Sequence, residues 1–137
     1  MRAISLLVCI LLAESAFSRD ALSQLNWRRQ AVGLRPYAHA PELQNAAETS
    51  VAAQARRGGM FHNNHRGVRS GVGATSRRDP TGRWFNTCFA FARISPGTRA
   101  AAAVAVSRNG RTYYTLDIAG SRARTTRAPC PRCGRMH

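Results

Sequence analysis

Two histidines, His62 and His65, and a Cys-x-x-Cys pair, Cys130 and Cys133, are the side chains of this 137-residue chain best suited to chemistry. Imidazole and thiolate are common zinc ligands, and a stable zinc site needs about three or four N, S or O donors at ~2.0–2.3 Å. His62 and His65 sit in a stretch rich in Gly and Asn, from Gly58 to Gly67, with no evident carboxylate beside them. Between Glu48 and Asp117 the only acid is Asp79, which precedes Pro80 in a loop-like segment. The pair His62 and His65 is therefore the candidate lining of a ligand pocket, and a metal would need an acid brought from elsewhere. The plainer alternative is that both rings face solvent or cap the loop. No cofactor is expected.

The cysteines leave three readings open. Cys9 lies in a leader-like segment, so Cys88, Cys130 and Cys133 remain, an odd number. Cys130 and Cys133 have the spacing of a redox pair or a zinc knuckle. They can form a local disulfide or a free thiol pair, tether the tail to Cys88, or hold a metal with His137 and either Cys88 or His62. A full zinc ribbon needs a second such pair, and the sequence has none. Cys88 can also be a small buried residue in its own right.

Catalytic signatures are sparse. There is no Gly-x-Ser-x-Gly elbow and no acid placed to orient a His. Glu42 and Glu48 lie six apart, so they do not project together as an i, i+4 pair would. The sequence argues against an enzyme more than for one.

The formal net charge is +15, and every fixed positive charge is Arg. Such a chain attracts anions: lipid headgroups, an envelope polymer or nucleic acid. Absent Lys with abundant Arg, Ala and Gly also suits a GC-rich genome. Clustering of Arg28, Arg29, Arg56, Arg57, Arg77 and Arg78 on one surface would mark a polyanion binder. Trp27, Tyr37, Trp84, Tyr113 and Tyr114 could stack on bases, but the arginines are spread along the chain rather than gathered in one motif. Nucleic acid is not the expected partner.

The elements that must position these groups begin after a leader. Arg2, the apolar run Ile4–Ala13 and the small residues Ala16 and Ser18 read as a signal peptide over residues 1–18. The run is too short for a bilayer span of about 20 residues, and an uncleaved anchor is the alternative. Val8 before Cys9 argues against a lipoprotein. Export would place the protein in the periplasm, the envelope or the extracellular space, where disulfides persist.

Residues 19–120 read as one domain. Asp20 can cap a helix from Ala21 to about Val32, with Leu22, Leu25, Arg29 and Val32 on one face and Gly33 as its stop. Pro41 and Glu42 open a second helix, with Leu43, Ala46, Ala47, Val51 and Gln54 inward and Arg56 and Arg57 before Gly58. Phe61–Arg83 reads as loop, broken by Gly67, Gly71, Gly73, Pro80 and Gly82. Strand is expected over Trp84–Ala92. Ala100–Val106 and Thr112–Ile118 flank Asn109-Gly110 and read as a hairpin, since both turn residues tolerate positive φ. Residues 121–137 are short, basic and poor in aliphatic side chains, which predicts a flexible tail.

The order of these segments resembles the CAP superfamily, or SCP-like extracellular domain. Bacterial members run Leu-Asn-x-x-Arg-x-x-x-Gly-Leu-x-Pro, then a Leu-x-x-x-Ala helix, then Phe-x-His. The counterparts are Leu25, Asn26, Arg29, Gly33, Leu34, Pro36, Leu43, Ala47, Phe61 and His62. The closing segment Ala100–Gly120 is similar to the family's last two strands. The resemblance implies an α+β fold: a small α-β-α sandwich with an N-terminal helix pair and a C-terminal antiparallel sheet. It also implies a cavity of two His and two acids that can hold a divalent ion. His62 matches the first His, but the expected Gly-Glu-Asn motif is missing, and Ser95-Pro96-Gly97-Thr98-Arg99 carries Thr98 where the second His stands. The expectation is an exported, non-catalytic CAP-like binding or structural protein of the envelope or extracellular space. The alternatives are a divalent-metal-dependent binding protein or weak hydrolase using His62 and His65, and a cationic polyanion binder.

Overall fold

A computed structural model describes residues 21–63, 67–76, 87 and 89–120. The chain forms helix α1 (residues 21–31), strand β1 (Ala38–His39), helix α2 (Pro41–Arg57) and strands β2 (Val68–Thr75), β3 (Arg99–Val106) and β4 (Thr112–Ala119). The four strands make one sheet in the order β1-β3-β4-β2. Ala21, Leu22 and Leu25 of α1 pack on Ala100, Ala102, Tyr114, Leu116 and Ile118. Ala47 and Val51 of α2 pack on the alternate residues Ala101, Ala103 and Tyr113. Alternate strand residues face opposite ways, so the helices cover opposite faces and the fold is an α+β sandwich of three layers, as expected. The run Ala100–Ala103 is completely buried and presents only methyl groups to both helices.

The helix ends follow their signals. Gly33 takes φ +74° and Leu34 N–H reaches back to the Arg29 carbonyl at 2.8 Å. This stop comes before the inward stripe reaches Val32, which is left 63% exposed instead of joining Leu22 and Leu25. Pro41 opens α2, Arg56 and Arg57 occupy its last turn, and Gly58 ends it in the left-handed conformation.

Three expectations over the middle of the chain need correction. Residues 68–75, read as loop, form β2, paired antiparallel along its whole length with β4. Gly71 and Gly73 lower strand propensity, but they lie opposite Leu116 and Tyr114, whose bulk occupies the shared face. At the end of this ladder Gly120 meets Gly67 so closely that a Cβ there would collide with the Gly67 carbonyl. Residues 89–92, read as part of a strand, are a turn instead: Phe89 has φ +68°, and Ala92 N–H bonds the Phe89 carbonyl at 3.1 Å. The sheet is mixed rather than wholly antiparallel, because β1 pairs parallel with β3. Two residues are too few for any periodicity to announce them. The hairpin is where Asn109-Gly110 placed it, although only Gly110 takes positive φ, at +83°. Ser107 N–H bonds the Arg111 carbonyl at 2.8 Å and closes a three-residue loop.

The polar residues of α1 build a junction rather than a site. The Asn26 side chain accepts from Tyr37 N–H and donates to the Tyr37 carbonyl, both at 2.8 Å. Arg29 is fully buried. It donates to the carbonyls of Arg35 (2.8 Å), Ala90 (2.6 Å) and Ala92 (2.8 Å). Its guanidinium lies 4.3 Å from the centre of the Tyr37 ring, and the Tyr37 hydroxyl donates to the Phe89 carbonyl at 2.8 Å. Two separate stretches of chain, residues 35–37 and 89–92, are thus tied to one helix.

Burial pushes the Tyr37 phenol up to about 12, against the opposing pull of Arg29. The unfolded chain therefore releases this proton first as pH rises from the ordinary value of 10.0. Stability from this group is complete below about pH 10 and is lost towards pH 12, by about 2–3 kcal/mol over that window. Urea unfolding at a series of pH values is expected to show the decline in the wild type and a flatter profile in Tyr37→Phe.

Candidate functional site

Beneath α2, β2 and β4 carry a layer of polar side chains between the helix and the sheet. Ser70 of β2 lies opposite Asp117 of β4. Thr115 precedes Asp117 by two residues, so both point to the α2 side, where α2 contributes Ser50 and Gln54. All five are buried, Gln54, Thr115 and Asp117 completely. Gln54 Nε2 donates to Thr115 Oγ1 at 3.0 Å and to Ser50 Oγ at 3.3 Å. Among the described residues, Gln54 Oε1 and Ser70 Oγ have no hydrogen-bond partner.

His62 and Asn63 meet this layer from the segment after α2. The His62 ring is half-buried and donates through Nδ1 to the Ser70 carbonyl at 2.5 Å. A carbonyl can only accept, so the neutral ring carries its proton on Nδ1 and its lone pair on Nε2. Asn63 Nδ2 donates to Asp117 Oδ2 at 2.6 Å. A carboxylate removed from water needs such donors, because an unpaired buried charge is very costly. The arrangement brings one imidazole beside an amide–carboxylate couple, and in this geometry both side chains fasten the segment to the sheet.

The residues singled out in the sequence fare differently. His62 reaches the layer. His65, Asp79, Cys88, Cys130 and Cys133 lie outside the described residues, as do residues 1–20 and the tail. Glu48, the acid that precedes His62 in the sequence, accepts from Gln44 Nε2 at 2.9 Å. Gln44 also donates to the Ala102 carbonyl at 3.2 Å and contacts His39 at 3.3 Å. Among the described residues no three His, Cys, Asp or Glu side chains converge as a metal site would require. Thr98 is buried, and its hydroxyl donates to the Ser95 carbonyl at 2.8 Å in a turn where Gly97 takes φ +74°. The Ser95–Arg99 segment thus launches β3, and the Thr98 carbonyl accepts from Ala38 N–H of β1 at 3.0 Å.

Asp117 is the residue that sequence reasoning missed as a partner of this region. The signal was a carboxylate inside a strand of aromatic and β-branched residues, two positions from Thr115 and on its face. Of the six arginines whose clustering would mark a polyanion binder, the four described ones do not gather on one surface. Arg29 is buried, and Arg28 and the pair Arg56–Arg57 sit on helices that cover opposite faces of the sheet. Arg77 and Arg78 lie outside the described residues.

No protein-family model matches the chain, and no curated protein sequence matches it.

Removing the Asn63 amide strips a donor from a buried carboxylate. Asn63→Ala is expected to lower stability by about 1–3 kcal/mol, and by less when Asp117 is already Asn. Urea unfolding of the two single variants and the double variant checks this, and equal losses in both backgrounds would contradict the pairing.

Proposed function

We propose that the protein is a small exported domain of the CAP type, non-catalytic, that binds or scaffolds at the cell envelope or in the extracellular space. The observation that carries this reading is the use of its reactive side chains. His62 and Asn63 hold the segment after α2 to β2 and β4, through the Ser70 carbonyl and the Asp117 carboxylate. The residues that carry the family resemblance support it in the same way. Leu25, Asn26, Arg29 and Gly33 are anchoring and turning residues of the α1 junction, and Thr98 is a turn residue where the family has a ligand.

Its partner is anionic. The chain carries +15, and two of the described acids offer little outward compensation. Asp117 is buried, and Glu42 lies 2.6 Å from Arg99. Among the described residues no helix is long and apolar enough to cross a membrane. The divalent-metal reading of His62 and His65 draws its support from His62 and Asp117 meeting the same strand pair, β2 and β4, where Ser70 lies opposite Asp117.

N-terminal sequencing of the protein from cell fractions, with zinc titration calorimetry of the purified protein, tests the proposal. The expected result is a chain beginning near Arg19 in an exported fraction, with no stoichiometric zinc binding dependent on His62. An intact Met1 in the cytosol would remove the export reading. Stoichiometric zinc lost in His62→Ala would replace the non-catalytic reading with the metal-dependent one.

A further inference from the structure

The outer side of α1 exposes apolar groups that the fold does not use. Trp27 is 72% exposed, Val32 63% and Phe91 37%. Trp27, on the side of α1 away from the inward residues Leu22, Leu25 and Arg29, and Arg28 at its flank form a strip, and Val32 lies just past it in the turn that ends the helix. Arg28 in this strip lies over the Phe91 ring at 5.4 Å. The guanidinium of Arg29 binds the carbonyls of both Arg35 and Ala92, which gathers Arg35, Phe91 and Arg93 at the same end of the helix. Both Arg35 and Arg93 are exposed.

The charge on this side is of one sign. The acids among the described residues are Glu42, Glu48 and Asp117. Glu42 and Glu48 belong to α2, and Asp117 points to the α2 face of the sheet. The α1 side therefore combines exposed aromatic and aliphatic groups with Arg28, Arg35 and Arg93 and with no described carboxylate. A second copy of the same surface would be repelled by it. A soluble polyanion would satisfy the arginines and leave Trp27 and Val32 in water. An anionic bilayer satisfies both, because arginine meets the headgroup phosphates while indole and aliphatic groups enter the headgroup–acyl boundary.

We propose that this strip, Trp27, Arg28, Val32 and Phe91 with Arg35 and Arg93, docks the protein on anionic lipid. The inference deepens the envelope-binding reading by naming the partner and the face that meets it. The surface attaches peripherally, with α1 lying along the headgroup plane and the polar layer beneath α2 turned away from the lipid. Ionic attraction draws the protein in and weakens with salt, whereas the apolar contacts set how long it stays.

The test uses the full chain carrying Trp84→Phe, so that Trp27 is the sole indole, and vesicles of phosphatidylglycerol or phosphatidylcholine with brominated acyl chains. Trp27 emission is expected to move to shorter wavelength and to be quenched in phosphatidylglycerol vesicles, but not in phosphatidylcholine. In the parent chain with both tryptophans, Trp27→Ala together with Val32→Ser is expected to weaken sedimentation with phosphatidylglycerol vesicles by about tenfold or more. Both positions are exposed, so circular dichroism should show the fold unchanged. Unmoved Trp27 emission while the protein sediments would overturn the proposal, since another part of the chain would then carry the binding. Undiminished sedimentation of the double variant would overturn it as well. Trp27 quenching by phosphatidylglycerol in a protein that retains Met1 would uphold this surface and fault the export reading alone.

Discussion

A guanidinium with no carboxylate among its described partners holds the α1 side of this molecule together. Arg29 is fully buried, and its charge is met by three backbone carbonyls and the face of Tyr37. Burial pulls its pKa below the ordinary guanidinium value, with an opposing contribution from Tyr37. Each bond from a charged donor to a carbonyl is worth more than a neutral one. The planar fork suits several acceptors at once, which an ammonium cannot match. The connection after α1 and the turn at residues 89–92 have few apolar side chains of their own to bury, and Arg29 fixes both by their backbone.

That junction sets the rest of the sheet. With the connection fixed, Ala38 and His39 lie beside the start of β3, and Pro41 begins α2 directly afterwards. The alanines of β3 then let both helices seat against the same strand. On the far face the apolar contacts of Ala47, Val51 and Tyr113 give way to the polar layer of Ser50, Gln54, Thr115, Asp117 and Ser70. His62 and Asn63 close that layer. The same economy applies at both ends of the molecule, where the residues best equipped for chemistry are engaged in holding backbone.

The legible parts of this fold were those with a local physical signal. The α1 and α2 stripes, their glycine stops and the Asn109-Gly110 hairpin could be read directly, because periodicity and turn chemistry act within a few residues. The strand β2 could not be read in the same way. Its glycines argue for a loop, and only pairing with β4, whose partner residues lie 37 to 51 positions further along the chain, makes it a strand. The turn at 89–92 was hidden for the opposite reason: Phe89 and Phe91 have strand-like propensity, and distant Arg29 and Tyr37 bind its carbonyls. At the candidate site His62 was legible as a residue type. Its companion Asp117 was not, because the pairing depends on the register between β2 and β4.

The most direct test of this account is to replace Arg29. Arg29→Met keeps much of the side-chain volume and leaves three carbonyls without their donors, while Arg29→Lys keeps the charge and loses the fork. Guanidinium unfolding is expected to show a loss of about 3–5 kcal/mol for Met and a substantial part of that for Lys. A loss below about 1 kcal/mol for both, within the range of ordinary surface substitutions and their neighbours, would contradict the claim that the buried guanidinium holds the fold.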